Sequence, residues 1–218
     1  DTLFDIVTPK KLPQDINDLL HSSLILFYGI DGVFDKEKAI SNFKKILDDS
    51  ENECAEAAFQ LAQIYLFGDT VERDEDLAIS MLRIAVRKRH SQALKLLAFC
   101  YQQGIGVEKD LFTTSQLLTI AHKKDHEASF LLGYNIYNAP VVDEKEVKCK
   151  SKEIIKKDVK VAFHYFCQAQ DFIPAQNYLG LCYLNGNGVE KDIFEAYKYF
   201  SSSANGGFLD GMYNLADF

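Results

Sequence analysis

Apolar residues recur along this chain at the spacing of a helix face, and the same face returns about every 36 residues. Leu20, Ala57, Ala93, Ala128, Ala175 and Gly211 form a reference column, separated by 37, 36, 35, 47 and 36 residues. Four positions later stand Leu24, Leu61, Leu97, Leu132, Leu179 and Leu215. Five positions later the residue is mostly small: Ile25, Ala62, Ala98, Gly133, Gly180 and Ala216. Eight positions later come Tyr28, Tyr65, Tyr101, Ile136 and Tyr183. These offsets fall on one side of a helix, so each unit is predicted to begin with a helix A whose small residue admits a neighbour closely. A second face follows, built on Ala39, Ala78, Thr114, Ala162 and Ala196. Asn42-Phe43, Met81-Leu82, Leu117-Leu118, Tyr165-Phe166 and Tyr199-Phe200 lie three and four residues on, and Ile46, Ala85, Ala121, Ala169 and Ser203 seven on. This is helix B.

The segments between the two faces carry turn chemistry. Residues 98–110 and 180–192 both contain Cys-Tyr and end in Gly-Val-Glu-Lys-Asp. Gly104, Gly106, Gly186 and Gly188 suit a tight helix-to-helix turn. Asp74, Asp110, Asp158 and Asp192 each precede a helix B, where a carboxylate accepts the unsatisfied amides of the first turn. Asp192-Ile-Phe-Glu195 has the spacing of a capping box. One A–B pair cannot bury its apolar face alone, but stacked pairs share a continuous core.

With these columns in phase, the sequence resembles the Sel-one-like repeat (SLR) family, a branch of the tetratricopeptide-like solenoids. Residues 175–204 carry the pattern most fully, in Ala175, Leu179-Gly180, Tyr183, Gly186-Asn-Gly188-Val189, Asp192, Ala196, Tyr199-Phe200 and Ser203-Ala204. Residues 93–121 match well, 57–86 recognisably, and 20–47 weakly. The family's tryptophan is replaced by Met81, Leu117, Tyr165 and Tyr199. The fourth repeat lacks the Gly-x-Gly-Val turn and carries an insertion. The expected architecture is an all-α, right-handed α–α superhelix of about five helix-turn-helix repeats plus a partial sixth. Its expected parts are an N-terminal extension (1–14) and a solenoid (15–218), with repeats near 20–56, 57–92, 93–127, 128–174 (insertion 141–157) and 175–210, and a partial repeat at 211–218. Because the chain stops within a helix A, the natural protein is expected to continue, or a partner to cover that end. The resemblance implies adaptor or scaffold work, and it carries over no catalytic residue and no cofactor.

Composition narrows this further. A net charge of −8 disfavours a general nucleic-acid or anionic-membrane surface. The longest apolar run, Leu24 to Ile30, is seven residues, short of the roughly twenty that span a bilayer. Five scattered cysteines (Cys54, Cys100, Cys149, Cys167 and Cys182) make no disulfide framework, and a cytoplasmic or other reducing compartment is expected.

Candidate chemistry is sparse. His122 and His126 have the spacing of two metal ligands on a helix, but they span a predicted helix end, and the structural reading is preferred to a metal site. Cys100 and Cys182 share a repeat column and read as small core residues. No nucleophile, base or phosphate loop assembles, so the expectation is a non-enzyme. In solenoids of this type helix A lines the concave face. Columns two and six residues after the reference then supply a groove: Phe59, Gln63, Lys95, Phe99, Phe130, Tyr134, Asn177 and Leu181. The aromatic members are expected to anchor a protein or peptide partner, with Lys95 and Asn177 holding polar groups. The charged insertion and the apolar stretch Leu3–Val7 are further candidates for contact. Two alternatives stand beside the scaffold: a self-associating homodimer, and a regulatory or activator subunit of a membrane-associated enzyme or degradation complex.

Overall fold

The computed structural model describes residues 11–32, 34–68, 70–139 and 157–217. The Leu3–Val7 stretch and all of the insertion except Lys157 lie outside the described residues. Among those residues the regular structure is helical throughout. The helices are α1 (Gln14–Tyr28), α2 (Lys36–Asp49), α3 (Ala55–Phe67), α4 (Glu75–Arg87), α5 (Ser91–Gln103), α6 (Leu111–Ala121), α7 (His126–Tyr137), α8 (Val159–Gln168), α9 (Ile173–Asn185), α10 (Ile193–Asn205) and α11 (Leu209–Ala216). Odd-numbered helices are the A helices of the sequence repeat, and even-numbered ones the B helices. Two compact units divide the chain, residues 1–110 and 111–218. In the first, α1–α2, α2–α3, α3–α4 and α4–α5 pack as neighbours; in the second, neighbours pack likewise from α6–α7 to α10–α11, and α11 also touches α9.

The A-to-B turns repeat one set of bonds. Gly29, Gly68, Gly104 and Gly186 close α1, α3, α5 and α9 with φ of 68°, 71°, 81° and 73°, the left-handed region that glycine enters without strain. Beyond each glycine, an aspartate amide donates back to helix A: Asp35 to Leu26, Asp74 to Tyr65, Asp110 to Tyr101 and Asp192 to Tyr183, at 2.9–3.1 Å. The carboxylates of Asp74, Asp158 and Asp192 accept first-turn amides of α4, α8 and α10. These aspartates are caps, as their position predicts. Asp192 forms only half of a capping box, because its own amide goes to Tyr183 while Glu195 bonds Lys198.

The same bonds correct the register of the first repeat. Leu26 receives the aspartate amide that Tyr65, Tyr101 and Tyr183 receive elsewhere. Leu26 therefore occupies the column expected for Tyr28, two residues upstream, and the small column falls on Ser23 instead of Ile25. Ser23 is fully buried, and its hydroxyl donates to the Leu19 carbonyl at 2.6 Å, which satisfies it inside the core.

The small column has a steric purpose. A Cβ on Gly180 would lie 2.6 Å from the Phe200 ring, and one on Gly133 would lie 2.9 Å from the Phe166 ring. Phe166 and Phe200 are completely buried. The B helices α8 and α10 thus set a phenylalanine directly on the A-helix backbone. Gly180 is helical, so its absent side chain serves space and not φ. Gly180→Ala should lower unfolding free energy by about 1–3 kcal/mol through overpacking, outweighing a helix-propensity gain of about 1 kcal/mol. Urea denaturation measures this, and Phe200→Leu in the same chain should recover part of the loss. Unchanged or raised stability in Gly180→Ala would show that the ring has room to move.

Candidate partner-binding face on the A helices

In each unit an A-helix phenylalanine meets the residue that caps the next A helix. In the first unit Phe59 of α3 stacks on His90, the cap of α5, with ring centroids 4.7 Å apart. His90 Nδ1 accepts the Ala93 amide at 3.2 Å, so the proton belongs on Nε2, which lies 3.0 Å from Glu56 Oε2 and donates to it. Glu56 also accepts from Gln60 at 2.7 Å, and Gln60 accepts from the Tyr28 hydroxyl at 3.0 Å. The hydrogen bond from His90, helped by Gln60, holds the Glu56 carboxyl below the usual glutamate range against the opposing pull of burial. Phe59, expected to face the groove, is instead buried beneath this network. Gln63 and Lys95 are half-buried, whereas Phe99 remains 47% exposed.

In the second unit Phe130 of α7 meets Phe172, the cap of α9, at 5.3 Å between ring centroids. Phe130 also contacts Tyr134, Phe166 and Tyr178, with centroids 5.6–6.0 Å apart, and is itself mostly buried. Tyr134 and Tyr178 meet edge to face at 5.5 Å and remain half-exposed. The Tyr178 phenol is pushed up to about 12, chiefly by burial and then by Tyr134 and the charge of Asp210. Asn177 differs from its expected role: it is buried, and its side-chain oxygen accepts from Asn214 at 2.8 Å, tying α9 to α11. Leu181 is half-buried.

Around these rings lies a cavity of about 290 Å³. It is lined by Glu127, Phe130, Leu131 and Tyr134 from α7, by Phe172, Pro174 and Tyr178 at α9, and by Phe208 and Asp210 at α11. Every lining residue belongs to an A helix or caps one. Phe130 and Tyr134 are the groove residues that sequence periodicity brings to this site. Phe172, Tyr178, Phe208, Glu127 and Asp210 are additions. Their signal is the recurrence of the cap column, three residues before the reference (Cys54, His90, Asp125, Phe172, Phe208), and of an often acidic column one residue before it.

A second cavity, about 410 Å³, is lined by His122, Lys123, Asp125, His126, Ser129 and Gln168. Its polar groups have structural duties. The Asp125 carboxylate caps α7, and the Ser129 hydroxyl donates to the main-chain carbonyls of His122 and Asp125. His126 Nδ1 approaches Asp171 at 3.6 Å, and burial lowers the pKa of His122. No group of three potential metal-ligating side chains occurs among the described residues. Cys100 and Cys182 are buried, their thiols pushed up to about 11 and about 12 by desolvation, which leaves them protonated and unreactive at neutral pH. No helix among the described residues is long and apolar enough to cross a membrane.

Comparison with known proteins agrees with the repeat geometry. The chain belongs to the Sel1 repeat family, whose repeat matches residues 55–90, 91–112, 150–169 and 173–208, together more than half of the chain. The crystal structure of a Sel1 repeat protein from Oxalobacter formigenes is similar, with a TM-score of 0.73 and 23% identity over 92% of this chain and 78% of that one. A protective antigen of uropathogenic Escherichia coli with an SLR fold gives a TM-score of 0.76 at 19% identity, over 92% of this chain but only 40% of that protein. No curated protein matches the sequence. The fold is therefore the α–α solenoid of Sel1 repeats, a family whose members generally mediate protein–protein interaction and are typically non-enzymatic.

The Glu56 network gives a test by pH. A carboxyl held below its ordinary value contributes stability above that value, about 4.5, and loses it as pH falls through the lowered one. Glu56→Gln should therefore be less stable than the parent near neutral pH, with the gap closing as the medium becomes acidic. Urea midpoints across a pH series measure it. A gap that stays constant would mean that the charge of Glu56 contributes nothing.

Proposed function

We propose that this chain is a scaffold that holds a segment of a partner protein on the A-helix face of its second unit, around Phe130, Tyr134 and Tyr178. The observation carrying this reading is the composition of the 290 Å³ cavity, whose lining comes from three successive A helices and their caps and from no B helix. Aromatic rings that stay partly open beside polar groups are the common anchors of protein interfaces.

The test compares partner capture by the parent chain, by Tyr134→Ala on α7, and by Phe194→Ser on α10, where Phe194 is 87% exposed. Tyr134→Ala should remove specifically captured proteins while circular dichroism shows intact helicity. Phe194→Ser should retain them. The reverse pattern would place the interface on the B helices.

A homodimer is a second reading, favoured by Leu209, Met212 and Tyr213 on α11, which are 70%, 44% and 73% exposed. Light-scattering mass over a concentration series decides it. A dimer dissociated by Tyr213→Asp supports self-association, and a constant monomer mass refutes it.

A further inference from the structure

We infer that α11 presents a seat for one more helix, supplied by a partner protein: an amphipathic helix with a small residue followed, four positions on, by a large apolar one. This second docking surface is separate from the cavity and does not depend on it.

The seat is defined by how α9 receives α10. A Cβ on Gly206, at the end of α10, would lie 2.8 Å from Ile173, and one on Gly180 would lie 2.6 Å from Phe200. Ile173 and Gly180 stand two residues before and five after the reference column, so these columns face the following B helix. In α11 they hold Leu209 and Ala216, and Met212 lies between them on the same stripe, at helical spacings of three and four. Leu209 is 70% and Met212 44% exposed, and Ala216 is exposed where Gly180 is buried. The other side of α11 is used: Gly211 faces Ser203 of α10, and Asn214 bonds Asn177 of α9. Among the described residues the apolar stripe stays open, with only a methyl group at Ala216 to meet an approaching helix.

The chain also describes the occupant. In α2, α4, α6, α8 and α10 the small column and the large apolar residue four positions later are at most 2% exposed, from Ala39 and Phe43 to Ala196 and Phe200. This is the pattern that A helices receive. A second copy has no free helix to offer, because those same residues are already buried within its own array. Two α11 stripes laid together would join few residues, against roughly twenty to thirty a side in a stable interface. A partner whose helix belongs to a larger body continues the array instead. It can extend over Tyr213, which is 73% exposed and occupies the column of Phe59 and Phe130, the residues that meet the cap of the next A helix.

The probe is a synthetic peptide of α4 with its cap, Asp74–Lys88, because α3, on which α4 packs, carries Ala62 at the column of Ala216. A lactam bridge between Asp76 and Ser80→Lys, two positions exposed in α4, holds the peptide helical. It is titrated into the whole chain and followed by NMR of the α11 amides. The peptide should shift them. Leu82→Ala in the peptide should weaken binding about tenfold or more, by removing the residue that is buried. Met212→Asp in the protein should weaken it as much, by placing a carboxylate under the bound helix, and Leu209→Asp at a more exposed position should repeat the effect, with circular dichroism confirming the fold. No binding overturns the assignment, as does binding that neither aspartate variant weakens. A dimer at the titration concentration, dissociated by Tyr213→Asp and closed to the peptide, also overturns it and gives the face to a second copy. The capture contrast between Tyr134→Ala and Phe194→Ser reports on the cavity, so either surface can fail without the other.

Discussion

The second unit depends on a close approach between the B helices α8 and α10 and the A helix before each. Phe200 and Phe166 lie against Gly180 and Gly133 at distances that leave no room for a side chain on the glycines. A ring resting on bare backbone buries nearly all of its surface, so these two hairpins each gain a large apolar contact from one residue. It also favours one rotation of helix B about its own axis, because turning the phenylalanine away from the glycine would give up that buried contact. Once that rotation is set, the opposite side of helix B is committed to the next A helix, and the stacking repeats.

Turn chemistry makes this approach reachable. A left-handed glycine reverses the chain, and the amide of the capping aspartate returns to a helix A carbonyl, so the turn closes on the helix it has just left. The aspartate carboxylate then caps helix B. Each turn therefore satisfies orphan groups on both helices, which is why Gly, Tyr and Asp keep their spacing while the residues between them vary.

These features decide what the sequence reveals. The B helices, the turns and the caps are legible because each column performs one steric or hydrogen-bonding task. In α1 the pattern misleads: Tyr28 stands in for the tyrosine column, but Gly29 follows it at once, whereas the closing glycine lies three residues past Tyr65, Tyr101 and Tyr183. The capping bonds put Leu26 in that column. The binding face is legible in direction but not in depth. Periodicity places Phe59, Phe130 and Asn177 on the A-helix face, yet Phe59 and Phe130 are covered by the caps of the next A helices, and Asn177 is tied to Asn214. Those contacts join residues 31, 42 and 37 positions apart, beyond what the pattern of a single helix reports. Tyr178 and Asp210 enter the site for the same reason.

The cap rings have a mechanical consequence. Phe172 and Phe208 begin α9 and α11, so they travel with their helices whenever one hairpin tilts against the next. The cavity they border is in effect a gauge of repeat pitch: flexing that spreads the A helices widens it, and tightening narrows it. Any occupant must then favour one pitch, and by reciprocity a solenoid held at that pitch grips its occupant more firmly. Tension applied along the helical stack would act as an antagonist of binding, and the occupant would act as a stiffener of the repeats around it.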